Sequence, residues 1–133
     1  MSAPRKESAA MDQAKQYAEA AIERKAGDVV AMDVSALTSF TDAFVIASGT
    51  SDRHVKAVAD AVVERAHALG RKPLGVEGYE SGEWVLIDLD DVIIHVFRGE
   101  KREEFDLERL WGDAPIWTFE EGEGGTVSQR QLP

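Results

Sequence analysis

The sequence predicts a single α/β domain in which a mixed β-sheet of about five strands is flanked by helices. Short apolar runs with the length of strands alternate along the chain with segments that repeat apolar residues at helical spacing. One connection is a short link that suits antiparallel strands, and another is a helix long enough to join parallel strands. A chain of 133 residues is long enough for one core that buries about two thirds of the unfolded surface.

The first predicted elements are a helix and a pair of antiparallel strands. Apolar residues recur at helical spacing over residues 8–25, and Gly27 ends this helix because glycine accepts the left-handed conformation of a C-terminal cap. Apolar runs at 28–37 and 43–47 are predicted strands. The polar link between them, residues 38–41, is much shorter than the roughly dozen residues of a crossover, so antiparallel pairing is expected.

The clearest helix is predicted over residues 52–70, where apolar residues follow helical spacing throughout. Thr50 or Ser51 can cap its first turn, and Asp52 complements the positive end of the helix dipole. The turn at 48–51 could alternatively hold an anion on its free amides, but it lacks the lysine and the glycine spacing of a phosphate loop. A short strand at 73–76 follows, which predicts a right-handed crossover between parallel strands.

Residues 77–97 form the stretch on which we expect the function to depend. Two apolar runs are joined by a polar corner at Asp90 and Asp91, which is the pattern of a β-hairpin. One face of the first strand is wholly apolar and should point inward. We interpret Trp84, on the other face, as exposed or facing a partner; the alternative is an ordinary aromatic residue half buried in the core. The inward face consists of Val85, Ile87 and Leu89, and the outer face of Trp84, Leu86 and Asp88.

A last helix is predicted over residues 100–111, ended by Gly112 and Pro115. The following residues are rich in Gly, Glu, Ser and Gln, so residues 116–133 are predicted to form a flexible acidic and polar tail. Residues 1–8 are predicted to be disordered. These boundaries leave residues 9–115 as the folded domain.

The charge of the chain favours a basic protein as its partner. The net charge is −10, whereas proteins that bind nucleic acid without sequence preference gain their affinity from Lys and Arg. Residues 73–91 contain Glu77, Glu80, Glu83 and three Asp residues but no Lys or Arg. Such a segregated negative charge is an electrostatic match for a positive surface.

Several classes of site are excluded by composition and spacing. Cysteine is absent, which excludes disulfides and thiolate chemistry. No apolar run approaches the roughly 20 residues that span a bilayer, and a cytoplasmic protein is expected.

His54 and His67 fall on opposite sides of one predicted helix and His95 lies on an apolar strand face, so neither a metal nor another cofactor is predicted. Asp88 with Asp90 could be read as the carboxylate pair of a nucleotidyltransferase, but no base or nucleophile converges on them, and no catalytic residue is predicted.

Six blocks of the sequence resemble the Iojap or ribosomal silencing factor family, and they occur in the family's order and with the family's spacing. The blocks are 41–51, 53–55, 73–78, 83–88, 91–97 and 107–111, of which 83–88 reads Glu-Trp-Val-Leu-Ile-Asp. The match runs from about Met11 to Trp111. Two positions depart from the pattern, because Ala43 stands where an aromatic residue is often found and Phe105 where a tyrosine is frequent.

The resemblance implies a translation repressor. Such a factor would dock on ribosomal protein number fourteen of the large ribosomal subunit, sterically prevent the small subunit from joining and thereby silence translation under nutrient limitation. The resemblance also implies a core similar to that of nucleotidyltransferases but without the catalytic residues of those enzymes, so no enzymatic activity is expected. It further implies that the free protein forms a homodimer.

We place the partner-binding surface around the hairpin. The predicted residues are Tyr79, Glu83, Trp84, Asp88, His95, Phe97, Arg98 and Arg102. Arg98 and Arg102 have two interpretations, a solvated helix face with internal ion pairs or a minor contact with ribosomal RNA. Two rival functions stay open: a nucleotide-binding enzyme relic that uses the turn at Gly49, and a self-associating structural module whose Trp84 face is only a dimer contact.

Overall fold

The computed structural model describes residues 6–133, which form a seven-stranded mixed β-sheet with helices on both faces. The helices are α1 (Lys6–Glu23), α2 (Asp52–Ala68), α3 (Gly99–Phe105) and α4 (Leu107–Leu110). The strands are β1 (Gly27–Asp33), β2 (Ala43–Gly49), β3 (Gly75–Glu77), β4 (Trp84–Asp88), β5 (Val92–Arg98), β6 (Ile116–Glu121) and β7 (Val127–Gln131). Their order across the sheet is β3-β4-β5-β2-β1-β6-β7. None of the described helices has both the length and the apolar character required to cross a bilayer.

Two predicted strand pairs are confirmed and one prediction is corrected. β1 pairs antiparallel with β2, and β4 with β5 forms the predicted hairpin. β3 runs parallel to β2, as the crossover predicts, but β4 and β5 lie between them and the parallel neighbour of β2 is β5. β5 takes the inner place because Val92, Ile94 and Val96 are wholly buried, whereas Val76 of β3 is exposed.

The predicted flexible tail at 116–133 and the predicted count of five strands are both wrong. β6 pairs with β1 and β7 pairs with β6, so residues 116–131 add a two-stranded ribbon to the sheet. The ribbon is held because Phe119 is buried in the main core and Glu121 pairs with Lys25 at 2.7 Å. Of the residues predicted to be disordered, 6–8 belong to α1, and 1–5 lie outside the residues that the structure describes.

The main core lies between the sheet and a layer formed by α1 and α2. Tyr17 of α1 and Val55 of α2 are wholly buried there, and burial of an aliphatic side chain such as Val55 contributes roughly 1.5–3 kcal/mol. Val85, Ile87 and Leu89 are buried in the same core. The predicted inward face of β4 is therefore confirmed, and the outer face of β4 belongs to the opposite side of the sheet.

A smaller core lies on that opposite side, under α3 and α4. The predicted single helix at 100–111 is in fact two helices, because Asp106 adopts a left-handed conformation with φ of 47° and ends α3. After this break, Leu107 and Trp111 pack against the smaller core. Its buried residues are Val30, Met32, Val34, Phe44, Ile46, Phe97 and Ala114.

Ser51 caps α2, which confirms the predicted capping role of the turn at 48–51. Ser51 has extended backbone geometry, and its Oγ accepts the His54 N–H at 3.1 Å. We expect Ser51→Ala to lower the free energy of unfolding by about 1 kcal/mol, because the first turn then has a backbone donor without its cap. Urea denaturation measures this change, and Ser51→Asp, which keeps an acceptor oxygen, should stay within a few tenths of the parent. Equal stability of Ser51→Ala and the parent would show that the cap contributes nothing.

Candidate functional site

The side of the sheet opposite α1 and α2 carries a cluster of aromatic rings, which we call the aromatic face and define by Trp84, His95, Phe97 and Phe105. The β4–β5 register places Trp84 opposite Phe97 and Leu86 opposite His95. The centroid of the Trp84 ring lies 5.2 Å from that of Phe97 and 4.3 Å from that of Phe105. The Trp84 indole is thus layered between a strand residue beneath it and a residue of α3.

Hydrogen bonding fixes the orientation of Trp84. Its indole N–H donates to His95 Nδ1 at 3.1 Å, so the polar end of the ring is satisfied within the domain. The side chain as a whole is half buried. Part of a large, rigid aromatic surface therefore remains accessible on the aromatic face, which agrees with both the core and the partner-facing interpretations of this residue.

His95 lies beneath Trp84 and is only 5% exposed. Because Nδ1 accepts the indole N–H, we place the single imidazole proton on Nε2. Nε2 has no hydrogen-bond partner among the described residues, and the Phe44 ring stands edge-on with its centroid 5.3 Å away. Burial lowers the pKa of His95 from 6.5 to about 4, since the charged imidazolium would lose its solvation. His95 is therefore neutral at pH 7.

The aromatic rings continue from Phe44 to Trp111 and Phe40. The Trp111 centroid lies 5.4 Å from that of Phe44 and 6.3 Å from that of Phe40. Phe40 is 58% exposed, and Leu110 beside Trp111 is 73% exposed. We did not predict this extension, although an aromatic residue inside the polar link at 38–41 is a signal that could have revealed it. Exposed apolar side chains next to the aromatic face enlarge the surface available to a partner.

Acidic side chains flank Trp84 as the sequence predicts, although two of them have basic neighbours. Glu83 lies 3.7 Å from Lys101, a separation at which the pairing is weak in solvent. Asp88, on the same face of β4 as Trp84, accepts the Asp90 N–H at 2.8 Å and remains half exposed. Asp91 is paired with Arg71 at 3.0 Å. Glu83 and Asp88 are thus the carboxylates on the Trp84 strand that a basic partner could meet.

Three residues predicted to bind the partner are buried, and for these the prediction is corrected. Phe97 is fully buried and His95 nearly so, so both support Trp84 from beneath instead of contacting a partner. The Arg102 guanidinium makes two hydrogen bonds of 3.0 Å to Glu108 and one of 2.9 Å to Ser48 Oγ. Arg102 thereby joins α3, α4 and β2, and its side chain is only 10% exposed.

The side chain of Tyr79 contacts α2, and that of Arg98 contacts both α2 and α3. Tyr79 packs against the main core, and its hydroxyl donates to Asp60 at 3.2 Å. Arg98 forms ion pairs with Asp52 at 2.7 Å and with Glu100 at 2.8 Å. The side chains of Glu83, Trp84 and Asp88 therefore remain available to a partner, whereas those of Tyr79 and Arg98 are engaged by neighbouring helices. The Arg98 backbone nevertheless adjoins this surface, because its N–H donates to the Glu83 carbonyl at 2.8 Å.

The described residues offer no centre of the kind that holds a metal. Among them, no group of three or more His, Asp or Glu side chains is placed to share one ion. In the turn at 48–51, the Thr50 N–H donates to His54 Nδ1 at 2.9 Å, and Ser51 Oγ accepts the His54 N–H.

Comparison with known proteins gives consistent matches. The family model described as "Ribosomal silencing factor during starvation" matches residues 6–131, which include the β6–β7 ribbon. The ribosomal silencing factor RsfS of Bacillus subtilis is 38% identical over 94 residues, covering 71% of this chain and 80% of that protein. RsfS of Chromobacterium violaceum is 43% identical over 88 residues, covering 66% and 72%. A crystal structure of a Chromobacterium violaceum protein matches with a TM-score of 0.75 and 40% identity, covering 77% of this chain and 85% of that one.

Proposed function

Because the chain belongs to the ribosomal silencing factor (RsfS) family, we propose that it binds the large ribosomal subunit at ribosomal protein number fourteen and blocks joining of the small subunit. Translation would then be silenced when nutrients are limiting. The observation that carries this proposal is the half-buried Trp84, held by His95 and packed against Phe105 with Glu83 and Asp88 beside it. We place this action in the cytoplasm, where ribosomal subunits meet.

The aromatic face has the physical properties that such docking requires. Tryptophan is enriched among the residues that dominate interface energies. The hydrogen bond to His95 and the stacking on Phe97 hold the Trp84 ring in one orientation, so little conformational entropy is lost when a partner covers it. Glu83 and Asp88 are suited to a basic ribosomal protein, because complementary charges speed encounter and fix its register.

Steric exclusion of the small subunit requires no catalytic step, and we propose that the protein is not an enzyme. The alternative function, a nucleotide-binding enzyme relic, requires free backbone amides at the turn around Gly49. The Thr50 amide and the Ser51 hydroxyl in this turn are instead hydrogen-bonded to His54. Gly49 has a packing reason to be glycine, since an added Cβ would lie 2.7 Å from Val55 Cγ2. Saturable binding of ATP with magnesium that is lost in Asp88→Ala would restore this rival.

We also propose that the free protein forms a homodimer, as the family resemblance implies. The exposed side chains of Phe105, which packs against Trp84, and of Phe40 and Leu110, which lie next to Trp111, are suited to such a contact. Self-association would be the whole function in the rival interpretation. If Trp84→Ala abolished dimers yet left association with ribosomes intact, the aromatic face would be a dimer contact only.

A subunit-joining assay tests the proposed function directly. We expect that large subunits preincubated with an excess of the protein form far fewer complete ribosomes when small subunits are added, because the docking site is occupied before joining. Sucrose-gradient sedimentation measures the yield of complete ribosomes. Adding the protein after joining is the control and should have a much smaller effect, since steric exclusion acts before the subunits meet. Full joining of large subunits that demonstrably carry the protein would refute steric exclusion.

A further inference from the structure

A second concave surface lies on the same side of the sheet as the aromatic face, but beyond α3. It is an open groove of about 860 Å³ between α3 and the β6–β7 ribbon, and we call it the acidic groove. Its floor includes Val30 of β1 together with Ile116 and Thr118 of β6, and its wall includes Arg102 and Glu103 of α3. A volume of this size lies within the range of established ligand clefts.

The acidic groove differs from the aromatic face in what it could bind. Its lining is partly apolar, since Ile116 is half-buried and Leu132 is exposed there. Its charged lining is mainly negative once the internal pair of Arg102 with Glu108 is set aside. The remaining charged residues are Asp28, Glu103, Asp106 and Glu120, against Arg130. Glu103 and Glu120 are exposed, so their carboxylates are accessible to a ligand.

We propose that the acidic groove binds a short peptide segment in which lysine or arginine residues alternate with apolar ones. The excess of carboxylates selects a cationic ligand and repels nucleic acid or an acidic peptide. The accessible apolar lining favours a peptide over a small polyamine, because a polyamine has no side chains to bury against Ile116 and Leu132. This site does not involve Trp84 and goes beyond the proposed function.

The test uses a fluorescein-labelled peptide of alternating lysine and valine as the probe. We expect saturable binding in fluorescence anisotropy that weakens as salt is raised, because exposed ion pairs are screened. The double variant Glu103→Gln with Glu120→Gln should weaken binding about fivefold, since each exposed carboxylate contributes modestly. Glu64→Gln, which removes an exposed carboxylate on α2, is the matched control and should leave the affinity unchanged.

The outcomes separate this proposal from the proposed function. Trp84→Ala should leave peptide binding unchanged, and the double glutamine variant should still inhibit subunit joining. The proposal is overturned if the probe fails to bind, if Glu64→Gln weakens binding as much as the double variant, or if Trp84→Ala abolishes it. A glutamate–valine peptide that binds equally well, or spermidine that displaces the probe at equal concentration, would also overturn it.

Discussion

Replacement of Trp84 by alanine is expected to weaken association with large ribosomal subunits by about 2 kcal/mol, or roughly thirtyfold. The loss arises because the variant lacks the rigid ring that a partner would cover and leaves His95 Nδ1 without its donor. The domain should stay folded, since Trp84 is half buried and the main core lies on the other side of the sheet. Co-sedimentation with purified large subunits measures the affinity, and circular dichroism with urea denaturation reports the fold.

Trp117 offers a matched control for this experiment. It is also a half-buried tryptophan, but it packs against the main core on the α1 and α2 side of the sheet. Trp117→Ala should therefore lose a comparable amount of stability while binding large subunits like the parent. Equal loss of affinity in the two variants would mean that reduced stability, not a lost contact, explains the effect. Unchanged affinity in Trp84→Ala would remove the aromatic face from the interface.

Acidification is expected to destabilise the domain through His95, by about 2 kcal/mol between pH 7 and about pH 5 and about 3 kcal/mol by pH 4. The pKa of His95 is lowered to about 4 in the folded state, against 6.5 for an ordinary imidazole. Well above pH 6.5 the imidazole is unprotonated in both the folded and the unfolded state, so His95 adds no pH dependence to stability there. Between 6.5 and 4 the unfolded chain takes up a proton that the folded domain excludes, and the free energy of unfolding falls.

Urea denaturation at several pH values measures this effect, with His95→Gln as the diagnostic variant. Its amide can still accept the Trp84 N–H but does not titrate, so the difference in stability between parent and variant should change with pH by the amounts given above. His67→Gln, an exposed position on α2, is the control and should keep the pH dependence of the parent. If the parent and the His95→Gln variant lost stability in parallel as the pH fell, the assignment of this pH dependence to His95 would be contradicted.

The hairpin and its two faces could be predicted from the sequence because the information is local. β4 alternates between a wholly apolar face and a mixed one, and a strand with that pattern has only one way to bury its apolar side. The same reasoning found the cap at Ser51. These features depend on neighbours in the chain, so spacing alone reveals them.

Three features could not be predicted because they depend on partners distant in the sequence: the β6–β7 ribbon, the helix break at Asp106 and the burial of Arg102. β6 has a single well-buried residue, Phe119, and becomes a strand because β1 offers it an edge. Asp106 interrupts a continuous helical pattern, and the break is held by the contact of Arg102 with Glu108 and Ser48. An arginine in an acidic helix looks solvated until the residues that enclose it are known.

The position of the β6–β7 ribbon has a consequence for how the protein is made. Without residues 116–131, β1 would be the outermost strand and would present the unpaired backbone of an apolar segment, Val29 to Met32, to other chains. During synthesis this segment emerges long before the ribbon that covers it. A nascent chain of this protein is therefore open to intermolecular strand pairing until the ribbon has left the exit tunnel, and native closure of the sheet is a late event.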